Sequence, residues 1–367
     1  MRVLIAPDSF KGSLSATAVA AALAAGWLAV RPGDQVTRLP LADGGEGTLD
    51  VLAAAVPGAR WHRARVTGPG GAPVTSRWLE LPGGTSVTEL ARSSGLPLLA
   101  RPDPMGAQTT GLGEVLGRAL DAGADRILVG LGGSAATDGG TGALAALGAR
   151  FLDAAGRPLP PGGETLATLA RADLGRLRPP PAGGVTCLAD VTAPLLGPRG
   201  AAAVFGPQKG ADGAQVARLE AGLARLAELL GGDPAAPGAG AAGGTGYGLA
   251  TAWGAVLTPG AAELSRLAGL DRALAGADLV ITGEGRFDAT SLTGKTCGTV
   301  IAAAAAARVP VALVTGQVSG TAPGIARVVT LAGLAGGTAA ALAGSRRWLR
   351  QAGRQLARDT AGACPGR

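Results

Sequence analysis

Between Asp278 and Thr299 the chain reads DLVITGEGRFDATSLTGKTCGT, a short glycine-rich segment that gathers Glu284, Asp288, Ser291, Thr293, Lys295 and Thr296. Carboxylates and hydroxyls are hard oxygen ligands of the kind Mg²⁺ prefers, and a lysine among flexible backbone N–H groups suits phosphate oxygens. The chemistry this set points to is phosphoryl transfer. The residues before it, Leu279, Val280 and Ile281, form a continuous aliphatic run expected of a parallel strand buried on both faces. An alanine-rich helix follows, so the polar corner belongs outside the carboxyl end of a strand, where parallel α/β sheets bind ligands. A polar surface loop is the competing reading, and this stretch alone does not choose between the two.

Three further corners share the same make-up. Arg2 to Ala6 reads as the first strand, and its exit APDSFKGSLS carries Asp8, Ser9, Lys11 and Ser13 toward a helix over Ala16 to Val30, which Ser13 or Ser15 can cap. After a short strand near Val36 to Leu39, LADGGEGT sets Asp43 and Glu46 around Gly44, Gly45 and Gly47; three glycines with two acids suggest backbone brought close to a ligand or metal. RILVGLGGSAATDGGTG is a second strong strand-to-loop junction, whose Gly132, Gly133, Ser134, Thr137 and Asp138 could bind phosphate together with a helix N-terminus. Asp190 leaves an apolar run, and Lys209 follows Phe205 and Gln208.

The cations sharpen this pattern. Lys and Arg total 33, for a net charge of +7, yet only Lys11, Lys209 and Lys295 are lysines, and each adjoins a glycine. Where arginine is the general surface cation, a retained lysine suggests a need for a compact ammonium on a flexible stem. The same bias weakens the net charge as a sign of nucleic-acid binding, although Arg346 to Arg358 is a basic stretch.

The elements that must position these corners are those of an α/β protein. A chain of 367 residues with 47% apolar content is globular and long enough for about two domains. Trp61 to Glu89 changes character to short β-like runs, an antiparallel or mixed portion that places a boundary near Gly47 to Val51. Helices are expected over Leu112 to Ala122, Ala143 to Leu147, Gln215 to Leu230 and Thr338 to Arg358, with strands at PVALVTG and Arg327 to Leu331. Gly231 to Gly248 has a linker's composition, but its GAAGGTGYG and lone Tyr247 also fit a ligand-facing loop. No apolar run approaches the roughly 18 residues of a membrane span. Neither a signal peptide nor a cysteine framework is supported, since Cys187, Cys297 and Cys364 are few and scattered; a cytoplasmic setting is expected.

Known phosphate signatures fail on particular residues. A Walker A loop ending at Gly294-Lys295 needs glycine where Ala289 stands, and the protein-kinase catalytic loop needs an Asn, of which the chain has none. Gly130 to Ala135 is a literal G-x-G-x-x-A with Asp153 downstream, which makes an NAD(P)-dependent oxidoreductase the alternative. Proton transfer in such an enzyme would fall to His62 or Tyr247, both in poor contexts.

APDSFKGSLSA, LADGGEGT, GLGGSAATDGG, DVTAPLLGPRGAAAVFGPQKGA, GAAGGTGYG and DLVITGEGRFDATSLTGKT, in that order and over almost the whole chain, closely resemble the bacterial glycerate kinases of the first type, the glycerate 2-kinases. The resemblance implies ATP- and Mg²⁺-dependent phosphorylation of D-glycerate, usually to 2-phosphoglycerate. It implies a discontinuous Rossmann-like or flavodoxin-like parallel-sheet domain (1–47 plus 270–367), an inserted α/β domain with a mixed sheet (48–269), and an active site in the cleft. The chain departs from the family pattern at Thr137 and Ala193, where Asn is usual. On this basis Lys11, Asp43, Asp190, Asp288 and Lys295 are the candidate catalytic residues. Gly132, Gly133, Ser134, Asp138, Gly283, Gly285, Thr293, Gly294 and Thr296 are expected at the nucleotide. Asp8, Ser9, Gly44, Gly45, Glu46 and Lys209 are expected at the acid, and Asp190, Glu284 and Asp288 at the metal. No membrane or nucleic-acid partner is expected, and a homodimer is left open.

Overall fold

A computed structural model describes residues 1–292, 295–320 and 324–361; Thr293, Gly294 and Cys364 lie outside the described residues. The chain forms two compact units, one made of Met1–Asp43, Asp50–Val56 and Gly260–Arg367, the other of Gly44–Leu49 and Pro57–Pro259.

The first unit is built on β1 (Arg2–Ile5) and β2 (Gln35–Arg38) from the start of the chain. Strands from its end complete the sheet of the first unit, while those of the second lie between them in sequence: β3 (Arg60–Thr67), β4 (Pro73–Leu81), β5 (Thr85–Glu89), β6 (Arg126–Gly130), β7 (Arg150–Leu152), β8 (Arg171–Asp173), β9 (Val185–Leu188) and β10 (Val256–Thr258). The closing strands are β11 (Leu279–Phe287), β12 (Val311–Val318) and β13 (Arg327–Thr330). All five strands of the first sheet are parallel, in the order β13-β12-β11-β1-β2. Counted within the unit this is the flavodoxin-like order 2-1-3-4-5, whose topological switch point falls between β1 and β11.

Alternation along the strands loads both faces. Val3, Ile5, Leu279 and Ile281 pack with the helices Ala16–Leu28 and Ser345–Ala361. Leu4, Ala6 and Val280 pack on the other side with Ala268, Leu274 and Val300. The two terminal helices meet backbone to backbone: a Cβ on Gly26 would lie 2.1 Å from the Arg350 carbonyl oxygen, and one on Gly353 would lie 2.4 Å from that of Leu23. Ser15 caps the first of these helices by accepting from the Ala18 N–H at 3.3 Å.

The second unit carries a six-stranded mixed sheet, β10-β9-β6-β5-β4-β3, in which β3, β4 and β5 are antiparallel and the rest parallel. A separate antiparallel pair joins β7 to β8. Its core includes Leu112, Val115 and Leu116 of the helix Thr110–Asp121 and Leu219, Leu223 and Leu226 of the helix Gly213–Leu230, which opens on a capping box from Asp212 and Gln215.

Two expectations change here. The segment Gly231 to Gly248 is not a flexible linker: it ends in the helix Thr245–Trp253, Tyr247 is buried in the core, and its hydroxyl donates to the Gly231 carbonyl. Its glycines let backbones touch, since a Cβ on Gly243 would sit 2.1 Å from the Ala136 oxygen. The corner expected after Ile281 is also a strand for most of its length, because β11 pairs with β12 as far as Phe287 opposite Val318. Gly283 permits this: its Cβ would meet the Val314 carbonyl oxygen at 2.0 Å.

Candidate active site

Three strand exits run side by side at the switch point of the first sheet. Beyond β1, Ala6 N–H donates to the Ile281 carbonyl and Asp8 N–H to that of Gly283, each at 2.8 Å. Beyond β2, Leu39 N–H donates to Ile5 and Leu41 N–H to Pro7. This lateral bonding carries Asp8, Asp43 and Glu284 to one edge, where they line a cavity of about 400 Å³ together with Lys11, Asp288 and Lys295. Phe10, Leu331, Ala341 and Leu342 give the cavity an apolar wall, with Gln317 and Thr338 hydrogen-bonded beside it.

Asp8 is the most constrained of these acids. It is 8% exposed, its Oδ1 accepts the Ser9 N–H at 2.6 Å, and its Oδ2 accepts the hydroxyl of Thr296 at 2.9 Å. Thr296 opens the helix Thr296–Ala306, so the same contact ties the helix start to the β1 exit. Burial, then the neighbouring Asp43, pushes the Asp8 carboxyl up to about 6, against the pull of its hydrogen bonds and of Lys11. Lys11 Nζ stands 3.6 Å from Asp43 Oδ2.

Glu284 lies on β11 and is raised by burial, with Ser291 and Lys295 opposing; its buried Oε1 has no hydrogen-bond partner among the described residues. Asp288 is held low chiefly by the Thr290 hydroxyl and N–H, which both donate to its Oδ1. Lys295 Nζ donates to Thr290 Oγ1 at 3.0 Å, which places ammonium and carboxylate on one turn. Glu284 and Asp288 therefore offer an orphaned buried oxygen and an ionised carboxylate at one cavity, a donor set that fits a hard cation completed by phosphate and water.

The sequence-derived candidates divide between the units. Asp8, Ser9, Lys11, Asp43, Gly285, Glu284, Asp288 and Lys295 line the one cavity, and Gly283 and Thr296 support it from behind. Asp190, Gly132, Gly133, Ser134, Asp138, Lys209, Gly44, Gly45 and Glu46 belong to the other unit. Among the described residues no three His, Cys, Asp or Glu side chains cluster as a metal site, so the expected trio of Asp190, Glu284 and Asp288 is not assembled within either unit. Gln317, Thr338 and Leu342 were not foreseen; the strand-then-glycine pattern of VALVTGQV was the signal available for Gln317.

Asp138 and Lys209 are both buried and hydrogen-bonded within the second unit. Asp138 is fully buried, and its carboxylate accepts from the N–H groups of Thr109, Gly140 and Gly142 and from the Thr109 hydroxyl. Burial raises its carboxyl even so. Lys209, 2% exposed, donates to the Ala136 carbonyl and to Thr137 Oγ1, and burial brings its ammonium down to about 8. Ser134 is likewise engaged locally, with the Ala136 N–H at 3.2 Å.

The glycerate kinase family model matches residues 3–361. The chain belongs to the glycerate kinase family. Among its relatives, a glycerate kinase of Bacillus subtilis (strain 168) is 44% identical over 331 residues, 87% of this chain and 86% of that one. A glycerate 2-kinase of Escherichia coli (strain K12) is 42% identical over 306 residues, 80% of each chain. The crystal structure of a protein described as a glycerate kinase 2 from Salmonella typhimurium LT2 superposes with a TM-score of 0.84 at 39% identity, covering 99% of both chains. These glycerate kinase relationships identify the chain as a kinase and leave the oxidoreductase alternative unsupported.

Geometry explains why the dinucleotide fingerprint misleads. A Cβ on Gly130 would lie 2.4 Å from the Gly44 carbonyl oxygen, and one on Gly132 would lie 2.8 Å from Gly45 Cα. These glycines admit the LADGGEGT turn against the end of β6. Asp153 is spent on the N–H groups of Ala155 and Arg157 and on the Arg157 side chain. His62 is occupied as well, 2.7 Å from Glu80 Oε2 and stacked on Trp78. Among the described residues no helix is long and apolar enough to cross a membrane.

Proposed function

We propose that this protein transfers the γ-phosphoryl group of ATP to D-glycerate, giving 2-phosphoglycerate, with Asp8 as general base. The observation that carries the reading is the switch-point cavity, which is lined by a buried, oriented carboxylate, two lysines and three further acids. Asp8 takes the proton of the acceptor hydroxyl as its oxygen bonds to the γ-phosphorus, while the bond to the bridging oxygen breaks and ADP leaves. A carboxyl near 6 is ionised at neutral pH yet basic enough for this task. Asp43 stands ready as the second acid at the same edge, and Lys11 and Lys295 offset the charge that develops on the phosphoryl oxygens.

Glu284 and Asp288 are the carboxylates that would hold Mg²⁺. The ion, when bound, neutralises phosphate charge and draws electron density from the transferring group. The wall formed by Phe10, Leu331, Ala341 and Leu342 offers a flat apolar face for the nucleobase. Leu342, 61% exposed, is an otherwise unexplained surface leucine at that wall. Asp190 and the GLGGSA corner receive no part in this chemistry.

Incubation with D-glycerate and Mg·ATP, followed by phosphorus NMR of the products, tests the reading. ADP and 2-phosphoglycerate in equal amounts are expected; no glycerate-dependent ADP would end it, and 3-phosphoglycerate would move the accepting hydroxyl.

A further inference from the structure

Among the described residues that line the switch-point cavity, Arg286 is the only arginine, and the transfer step derived above does not use it. It stands two residues beyond Glu284 on β11, so the two side chains leave the sheet on one face. Its Nε lies 3.9 Å from Asp288 Oδ2, beyond hydrogen-bond range, and the side chain is 67% exposed, so the pairing is weak. Among the described residues the guanidinium makes no hydrogen bond. Many surface arginines are free in this way; what sets this one apart is what stands on either side of it.

On the adjoining strand Gln317 lies opposite Arg286 in the register. Its Nε2 donates to Thr338 Oγ1, and its main-chain carbonyl accepts the hydroxyl of buried Thr315 at 2.8 Å, so side chain and backbone are both held. Thr338 opens the helix Thr338–Ala343, which carries Ala341 and Leu342 of the apolar wall. Arg286 therefore stands between the two carboxylates suited to a hard cation and the wall suited to a base. A nucleotide whose phosphates share the ion with Glu284 and Asp288, and whose base rests on that wall, must carry its phosphate chain past Arg286. A guanidinium fork matches phosphate oxygens two bonds at a time, which the ammonium groups of Lys11 and Lys295 cannot do.

We infer that Arg286 is a nucleotide-binding residue that grips the phosphates on the base side of the metal, the part of the chain that ATP and ADP share. This rests on the reading of the cavity as the ATP site. The contact exists before transfer and after it, so it acts on nucleotide affinity, whereas Lys295 acts on the rate of transfer.

Wild type, R286Q and R286K are compared in turnover and in thermal stabilisation by ADP, with and without Mg²⁺ and without D-glycerate. Arg286 is exposed, so all three should share one urea midpoint. R286Q is expected to raise KM for ATP roughly tenfold or more and to lose the stabilisation by ADP in both conditions, with kcat and KM for D-glycerate close to wild type. R286K should fall between, keeping the charge but losing the fork. A loss seen only with Mg²⁺ would trace to the neighbouring Asp288 and overturn the proposal. So would a rise confined to KM for D-glycerate, a fall confined to kcat, or a folded R286Q that behaves as wild type. These results sink the role of Arg286 alone, because wild type remains an active kinase. A wild type that neither binds ADP nor makes it from ATP and D-glycerate would sink the kinase reading of the cavity and this proposal with it.

Discussion

Replacing Asp8 by Asn separates its catalytic role from its cost to the fold. In the native state burial and Asp43 hold the carboxyl at about 6, against 3.8 for an unperturbed Asp. Between those values the folded protein keeps a proton that the unfolded chain has lost, so stability falls as pH rises through this window. Full ionisation costs about 3 kcal/mol, of which about 1.4 kcal/mol accrues between pH 5 and pH 8. Asn carries no such pH dependence. Its one amide oxygen can replace only one of the two carboxylate oxygens that now accept from Ser9 N–H and the Thr296 hydroxyl, a penalty of about 1 kcal/mol that is the same at both pH values. Urea titrations should therefore show D8N gaining about 1.4 kcal/mol on wild type from pH 5 to pH 8. Its kcat should fall by roughly 10² to 10⁴. In wild type, kcat/KM should rise with pH through about 6. A stability difference that ignores pH would refute the electrostatic argument, and a folded D8N with normal kcat would refute the base assignment.

Lys295→Ala should lower kcat by roughly 10², the scale of one lost electrostatic stabiliser, while leaving the thermal midpoint close to wild type, because among the described residues its ammonium hydrogen-bonds to Thr290 on an exposed turn. Unchanged turnover would remove it from the mechanism. Asp138→Ala strands the N–H groups of Thr109, Gly140 and Gly142 in a dry interior and should cost about 3 kcal/mol or more in urea unfolding. A raised KM for ATP at an unchanged urea midpoint would instead make Asp138 a ligand-binding residue.

What could be read in advance followed from local pattern. The aliphatic runs of β1, β6, β11 and β12 announced buried parallel strands, and the polar corners after β1 and in β11 led to the switch-point cavity. What could not be read depends on contacts between distant segments. GEGRF looked like a loop because glycine disfavours strands, yet Gly283 and Gly316 are there so that β11 and β12 can close on each other. Asp138 and Lys209 sit in glycine-rich motifs, and only the folded unit shows that both are buried and hydrogen-bonded to its backbone.

The central strand pair of the first unit joins Val3 to Leu279. During synthesis β1 therefore leaves the ribosome with its main partner still unmade, and at about 5–20 residues per second it waits roughly 15–55 s. The intervening unit has all of its own strands by Thr258 and can fold while the N-terminal segment is still unpaired. Its completion brings the two ends of the first unit's chain under shorter effective tether, which lowers the loop-closure cost of β1–β11 pairing. Lesions in the interior of the second unit should thus surface as aggregation of nascent chains through the exposed edge of β1, even where no residue of the cavity has changed.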